Sequence, residues 1–126
     1  MILGISIGRG FDNYSELYDT VQAIKPKEIC SYSLDIVRRY AKETYTPLQE
    51  FEIDWQDLRN ATNVKKNKWG KLYDKDAPMK AATKIVEYCD KIVEFSGGDY
   101  HIRQIGKNKI ISEEKTRAGV EKRYQL

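Results

Sequence analysis

The residues ILGISIGRGF, numbers 2–11, are the most informative about the fold of this protein. The first six are mostly apolar, which is typical of a buried strand, and Gly8 and Gly10 end that strand in a turn. Asp12 or Asn13 can then cap a helix whose apolar side chains recur at helical spacing. A strand, a glycine turn and a helix in this order predict the first unit of an α/β fold.

The same alternation of strand and helix recurs along the rest of the chain. Apolar runs predict further strands at residues 28–30, 48–53, 91–95 and 109–111. Helical spacing predicts helices between them, the second of which can be capped by Ser33. The pattern predicts a single Rossmann-like three-layer domain of the α/β class, with a mainly parallel sheet of four to five strands. We assign this domain to residues 1–111 and the weakly helical remainder, 112–126, to a C-terminal tail.

Composition and charge limit the class of protein. The chain has 126 residues, enough for one domain, and a net charge of +3. No apolar run is long enough to cross a bilayer and the N-terminus lacks the basic start of a signal peptide, so we expect a cytoplasmic protein without a membrane partner. With one histidine and two cysteines, Cys30 and Cys89, the chain suits neither a disulfide scaffold nor a zinc site. We predict two small buried thiols, no metal and no cofactor.

Positive charge is concentrated in one segment. Residues 59–80 carry seven basic and two acidic side chains, which suggests one anionic partner at one place, or a solvated loop whose lysines only keep it soluble. The long loop 55–76 also holds Trp69 and Tyr73, whose rings can stack on a base while lysines hold phosphate. We expect Trp55 to pin this loop to the body of the protein.

Two glycine loops follow predicted strands, and ligands of parallel α/β sheets bind beyond such strand ends. In the GRGF loop, glycines let backbone amides approach an anion and Arg9 offers a fork of donors suited to phosphate. The loop SGGDYH, at 96–101, adds an aromatic ring and the chain's only imidazole. The alternative is that both loops are tight turns, with Asp99 capping a short helix. The residues of these loops predicted to bind a ligand are Gly8, Arg9, Gly10, Phe11, Gly97, Gly98, Asp99, Tyr100 and His101.

Several short motifs lie along residues 2–111. They are the GRGF loop with the Tyr/Glu/Leu helix after it, the helix LDIVRRYAKE, the pair Asp54–Trp55, and the helix that starts at Ala77–Pro78 and leads into EYCDKIVEFSGGD. In these motifs the chain resembles the SLOG superfamily of Rossmann-like proteins, in particular the small YspA/YpsA-related branch. The resemblance implies a Rossmann-like fold and a ligand derived from a nucleotide.

The chain departs from this family at three places. The glycine-rich second loop that helps to hold phosphate is reduced to Ser31, a tyrosine and Ser33, and the arginine of an Arg-Asn pair is replaced by Lys80. The glutamate that works on the glycosidic bond in the superfamily's phosphoribohydrolases has no counterpart in the residues after Asp99. The resemblance therefore implies that Ser31, Ser33 and Lys80 join the binding residues, and that the glycosidase machinery is missing.

These observations favour a non-enzymatic protein that binds a nucleotide-derived anion. The resemblance to SLOG proteins implies, as one example, a phage-type protein that sequesters an ADP-ribose-like or cyclic nucleotide immune signal. The alternative is a nucleotide N-glycosidase or deoxyribosyltransferase, for which Asp99, Glu94 and Asp54 are the carboxylates at strand ends. A second alternative is a nucleic-acid-binding module that uses the basic loop and the tail.

We also expect a homodimer. The predicted helices carry Tyr14, Tyr18, Tyr40 and Tyr88, which is more aromatic surface than one small core needs. Tyrosine is favoured at interfaces because its ring buries well while its hydroxyl tolerates water. Closed two-fold dimers are the commonest assembly of soluble proteins.

Overall fold

Strands and helices alternate along the chain in the computed structural model, which describes residues 1–115 and 122–125. The strands are β1 (Ile2–Ile7), β2 (Glu28–Tyr32), β3 (Leu48–Phe51), β4 (Val64–Lys66), β5 (Leu72–Asp74), β6 (Lys91–Phe95), β7 (Ser112–Lys115) and β8 (Lys122–Gln125). The helices are α1 (Tyr14–Ile24), α2 (Asp35–Thr44), α3 (Ala77–Tyr88) and α4 (Tyr100–Ile105).

Four strands form one parallel sheet in the order β3-β2-β1-β6. The strand order reverses between β1 and β6, because the chain returns across the sheet after β3. This confirms the predicted Rossmann-like α/β fold. The predicted fifth strand is reduced to one parallel bridge between Ile110 and Ile92, since a 3-10 turn at Lys107–Lys109 takes up the residues before it.

Helices cover both faces of this sheet. Val21 of α1 and Val37 of α2 join the apolar core on one face. Ile85 of α3 and Ile102 of α4 pack with Ile92 on the other. The sheet strands are therefore apolar on both sides, which is why the sequence shows continuous apolar runs and not an alternation of polar and apolar residues.

Local sequence explains where α1 begins and ends. The side chain of Asn13 accepts a hydrogen bond from the amide of Glu16 at 3.1 Å, as expected of an N-cap. At the other end Lys25 adopts a left-handed conformation with φ 57°, and Pro26 cannot continue the helix.

Two local predictions are wrong. Ser33 does not cap α2: the N-cap residue is Leu34, and no side chain accepts a hydrogen bond from the first turn. Ser33 lies one residue too early along the chain to hold that position. The weak helical character predicted for the tail is also wrong for residues 112–115 and 122–125, which pair as the antiparallel strands β7 and β8. The rest of the predicted tail, 116–121 and 126, lies outside the described residues.

The basic segment is not a loop throughout. Within residues 55–76, β4 and β5 pair in antiparallel register and form a hairpin. Each strand has only three residues, which is too short for an alternation of apolar and polar side chains that would predict the hairpin from the sequence. We refer to residues 63–74 as the basic hairpin.

Both thiols are buried and free, as predicted. Cys30 and Cys89 lie in the core between the sheet and α3. Contact with Cys89 and burial raise the pKa of the Cys30 thiol. Over residues 1–111, no group of histidine, cysteine and carboxylate side chains is arranged to hold a metal ion. In the same residues, no helix has the length and apolar character needed to cross a membrane.

The tyrosines behind the expected dimer do not form one surface. The rings of Tyr14, Tyr18 and Tyr40 contact one another in succession on the α1–α2 side of the sheet. Tyr88 instead packs on Phe51 in another part of the molecule. The homodimer stays a prediction, which light scattering at micromolar concentration checks.

Candidate functional site

An open cleft lies at the carboxyl edge of the parallel sheet. Its volume is about 760 Å³. It is lined by the turn after β1 (residues 7–11), the turn after β2 (32–36), the end of β3 (51–53), and Asp99, which follows β6. The cleft therefore lies at the edge of the sheet where parallel α/β proteins bind ligands, beside the reversal of strand order.

Gly8 fixes the position of the turn after β1. Its amide donates to the carbonyl of Phe95 at 2.8 Å, and a Cβ atom at this position would lie 2.0 Å from the carbonyl oxygen of Ser96. Glycine is required here because the turn passes directly against the backbone at the end of β6. Further along, the ring of Phe11 packs on that of Phe95, with centroids 5.1 Å apart.

Arg9 lies between Gly8 and Phe11, which both contact the end of β6. Its side chain is exposed, lines the cleft and forms no ion pair with any residue that the structure describes. The neighbouring Gly10 has φ 79°, and nothing lies within 4 Å of the place a Cβ atom would occupy. The turn thus presents an unpaired guanidinium group beside open space.

The turn after β2 contains polar groups of the cleft that lack hydrogen-bond partners among the described residues. Ser33 Oγ is buried and has no hydrogen-bond partner among the described residues. Next to it, α2 begins at Asp35 without a side-chain cap. The amide of Val37 donates to the carbonyl of Leu34 at 3.2 Å, so the amides of Asp35 and Ile36 are the ones that keep their hydrogen-bonding capacity among the described residues. Ser31 takes no part, because its buried hydroxyl donates to the carbonyl of Tyr32 at 2.6 Å. A hydroxyl beside uncapped amides is a suitable site for an anionic oxygen.

The carboxylate of Asp99 lines the cleft but is already engaged. It accepts hydrogen bonds from the amide of Ile102 at 3.0 Å and from the hydroxyl of Tyr32 at 3.1 Å. The amide of Asp99 donates to Ser6 Oγ at 2.7 Å, which ties the loop to β1. Burial and the nearby carboxylate raise the pKa of Tyr32, so its hydroxyl remains a donor. Asp99 is therefore the N-cap of α4, as the structural interpretation of this loop predicts.

The other predicted residues of that loop do not line the cleft. Gly97 and Gly98 adopt φ values of 80° and 75° and turn the chain from β6 into α4. Tyr100 and His101 lie in the first turn of α4, where their rings meet edge to face with centroids 5.3 Å apart. The loop reaches the cleft only through Asp99.

Glu94, one of the carboxylates considered for glycosidase chemistry, lies outside the cleft. Its side chain is packed under Gly98, where a Cβ atom would come within 2.3 Å of Glu94 Oε2. That oxygen has no hydrogen-bond partner among the described residues, and the nearest cation is Arg103, with Nε at 3.8 Å. Burial raises the pKa of Glu94, and Arg103 only partly opposes this. Asp54 also lies outside the cleft and accepts a hydrogen bond from the amide of Gln56.

The partly buried carboxyl of Glu94 predicts that replacing it with a neutral side chain stabilises the fold near neutral pH. Because its pKa is raised in the folded chain, the ionised form destabilises the fold, and stability falls as the pH rises above the ordinary carboxyl pKa of 4.5. Glu94→Gln is therefore expected to raise the melting temperature near neutral pH and to lose this advantage below that pKa. Thermal unfolding at the two pH values measures it. Glu87→Gln, which changes an exposed carboxylate of α3, is the control. An equal gain in both variants, or none in Glu94→Gln, would contradict the prediction.

Three predicted binding residues of the basic segment lie away from the cleft. Lys80 Nζ donates to the buried carboxylate of Asp74 at 2.6 Å and so braces the basic hairpin. Tyr73 packs edge-on against Trp55, with ring centroids 6.1 Å apart. Both residues belong to segment 55–76, so the expectation that Trp55 pins this segment to the body of the protein stays a prediction. Trp69 lies at the tip of the hairpin, and none of these side chains lines the cleft.

Sequence reasoning missed the wall of the cleft that β3 contributes. Phe51, Glu52 and Ile53 reach the site because β3 pairs with β2 in parallel register, which places Phe51 beside Tyr32. Ile36 completes this side from the first turn of α2. The sequence did place Phe51, Glu52 and Ile53 at the end of a predicted strand. Only the strand order shows that this strand end lies next to the end of β2.

Comparison of the chain with protein-family models, with curated proteins and with solved structures finds no match. The resemblance to SLOG proteins therefore stays a hypothesis based on short motifs. The described residues form a Rossmann-like α/β protein with an open cleft at the carboxyl edge of its sheet.

Proposed function

We propose that this protein binds a nucleotide-derived anionic small molecule in the cleft and releases it unchanged. The observation that carries the proposal is the buried Ser33 hydroxyl, which has no described partner and lies beside the uncapped N-terminus of α2. A buried polar group without a partner costs about 1–3 kcal/mol, and an anionic oxygen would accept its hydrogen bond. Arg9, in the same cleft, is suited to two-pronged contact with phosphate.

The rest of the lining fits the remaining parts of a nucleotide. A cleft of about 760 Å³ has the size of ordinary small-molecule sites. Phe11, Phe51 and Ile53 supply apolar surface on which a base can lie. The carboxylate of Glu52 can accept hydrogen bonds from ribose hydroxyls, a role that acidic residues have in dinucleotide sites.

The lining carboxylates support binding without turnover. Glycosidic cleavage needs a carboxylate near the anomeric carbon and an acid that assists departure of the base. Asp35 and Glu52 are exposed, and Asp99 is engaged as a helix cap. No carboxylate among the described lining residues is both buried and free, which is the usual environment of an acid catalyst. Together with the resemblance to SLOG proteins, this leads us to propose stoichiometric capture of an ADP-ribose-like or cyclic nucleotide signal, as by a phage-type sequestering protein.

Two variants of the cleft test the proposal. With ADP-ribose and cyclic AMP as probes, Arg9→Ala is expected to weaken binding by about 1.5–3 kcal/mol and Ser33→Ala by about 1 kcal/mol, because each loses a contact to an anionic oxygen. Neither variant should lower the melting temperature, since Arg9 is exposed and the Ser33 hydroxyl has no described partner in the fold. Calorimetry and thermal unfolding are the measurements.

Arg59→Ala is the matched control, because Arg59 is also exposed but lies outside the cleft. Unchanged affinity in both cleft variants would refute the binding site. The probe recovered after incubation and denaturation should be intact by chromatography. Release of a free base that Asp99→Asn abolishes would refute binding without turnover and favour the glycosidase.

A further inference from the structure

The basic hairpin carries an unbalanced positive charge. From Asn63 to Tyr73 the chain contains no carboxylate. The same stretch contains four lysines with exposed side chains, Lys65, Lys66, Lys68 and Lys71. Exposed ammonium groups without a counter-charge among them attract an anionic partner.

The tip of the basic hairpin presents an aromatic ring on a fixed turn. Asn67 Oδ1 accepts hydrogen bonds from the amides of Trp69 and Lys71, both at 2.9 Å. Gly70, with φ 82°, donates to the carbonyl of Asn67, so backbone and side chain together hold the turn. Trp69 is 80% exposed, and the Lys68 ammonium lies 4.5 Å from the centroid of its ring. The tip thus combines an open aromatic face with positive charge.

The base of the hairpin is held to the body of the protein through Asp74. This carboxylate is buried and accepts hydrogen bonds from the amides of Asn63 and Asp76 and from Lys80 Nζ. The bond from Lys80 is the main reason why the pKa of Asp74 is lowered. Because the surface is preorganised in this way, a partner does not have to order it on binding.

A second aromatic position lies on the same hairpin. Tyr73 pairs directly with Lys65 in the ladder, so their side chains lie on one face. Trp55 supports Tyr73 edge-on. Aromatic rings that stack on bases, beside ammonium groups that contact phosphates, are the combination by which proteins bind single-stranded nucleic acid.

We propose that the basic hairpin binds single-stranded nucleic acid, at a site separate from the cleft. A single strand fits because its bases expose faces that can stack on Trp69, whereas base pairs cover those faces with their neighbours. A lipid surface fits less well, because interfacial anchoring grows with buried apolar area and the tip offers only one ring among lysines. The proposal does not depend on the small-molecule ligand of the cleft.

Fluorescence anisotropy with a labelled oligothymidylate tests the proposal. Each ammonium–phosphate contact adds about 0.7 to the slope of log K against log salt on a single strand, so four lysines predict a slope of up to roughly −2.8. Trp69→Ala should weaken binding roughly 5- to 150-fold, and Trp69→Phe should retain most of the affinity. Replacing Lys66 and Lys68 by glutamine should reduce the slope by about 1.4.

The controls use residues of the same type elsewhere on the surface. Tyr45→Ala removes a 94% exposed ring, and Lys27→Gln with Lys42→Gln removes two exposed charges, and neither change should affect binding. Circular dichroism verifies that each variant is folded.

Four results would overturn the proposal. The first is that Trp69→Ala binds the oligonucleotide with unchanged affinity, and the second is that the protein binds the matching duplex more tightly than the single strand. The third is binding of phosphatidylserine vesicles but not of the oligonucleotide. The fourth is loss of oligonucleotide binding in Arg9→Ala. The last would assign nucleic acid to the cleft. If the two sites are separate, Trp69→Ala retains binding of ADP-ribose or cyclic AMP, and Arg9→Ala retains binding of the oligonucleotide.

Discussion

Replacing Gly8 by alanine is expected to destabilise the protein by about 3 kcal/mol and to abolish the proposed binding of an anionic ligand in the cleft. The added Cβ atom would lie 2.0 Å from the carbonyl oxygen of Ser96 and 2.8 Å from its carbonyl carbon. Both are backbone atoms at the end of β6, so no side-chain rotation relieves the overlap, and the two strand ends must separate. The turn that carries Arg9 then loses its position. Urea denaturation measures the loss of stability, and calorimetry measures binding.

Gly10→Ala is the matched control for this experiment. Gly10 is in the same turn with φ 79°, and no atom lies within 4 Å of the place its Cβ would take. Its replacement should cost only about 1 kcal/mol, the strain of a left-handed conformation. If the two variants lost equal stability, the close approach of β1 and β6 would not be the reason why Gly8 is required.

Ile92→Ala is expected to cost about 2–5 kcal/mol, which is a large part of the stability of a domain of this size. Ile92 is fully buried on the face of the sheet that α3 and α4 cover. Its side chain is packed close to the backbone of two glycines: a Cβ atom on Gly4 would lie 3.2 Å from Ile92 Cγ1, and one on Gly106 would lie 2.6 Å from Ile92 Cδ1. Glycines have no side chain that can fill the cavity left by the substitution. Denaturation midpoints measure the effect.

Ile105→Ala provides the comparison, because Ile105 is 39% exposed at the end of α4. It should cost about 1 kcal/mol or less, since less apolar surface returns to water and no cavity forms. A cost for Ile92→Ala as small as this would mean that the α3–α4 layer can collapse onto the sheet.

Most of the fold could be predicted from the sequence. The central strands β1 and β2 and the strand β6 have buried residues on both faces, so each appears as an apolar run near glycine, proline or capping residues. The edge strand β3 has no fully buried residue, and its apolar residues Leu48 and Phe51 indicated it. The basic hairpin and the tail strands could not be predicted in this way. Their strands have three or four residues, and pairing with a neighbour stabilises them more than their own composition does.

The candidate site was predicted only in part, and the reason differs between segments. Arg9 and Ser33 line the cleft because they directly follow β1 and β2, and parallel strands end at one edge. Trp69 and Lys80 do not line the cleft, although an aromatic ring and an ammonium group are suited to the base and the phosphate of a nucleotide. The side chain of Lys80 is held by Asp74, and that contact depends on how residues 55–76 fold back on themselves.

Local sequence is sufficient to place the glycine turn with Arg9 at the end of a buried strand, because apolar periodicity and turn chemistry depend on neighbouring residues. It is also sufficient to indicate a parallel sheet. Three features depend on packing between segments that are distant in sequence. The Ser33 hydroxyl is buried without a described partner, and Glu52 and Ile53 close one side of the cleft. The basic hairpin lies outside the cleft. Strand order determines which strand ends are neighbours at the edge of the sheet. Burial in the folded chain determines which polar groups lose contact with water and need a partner in the protein.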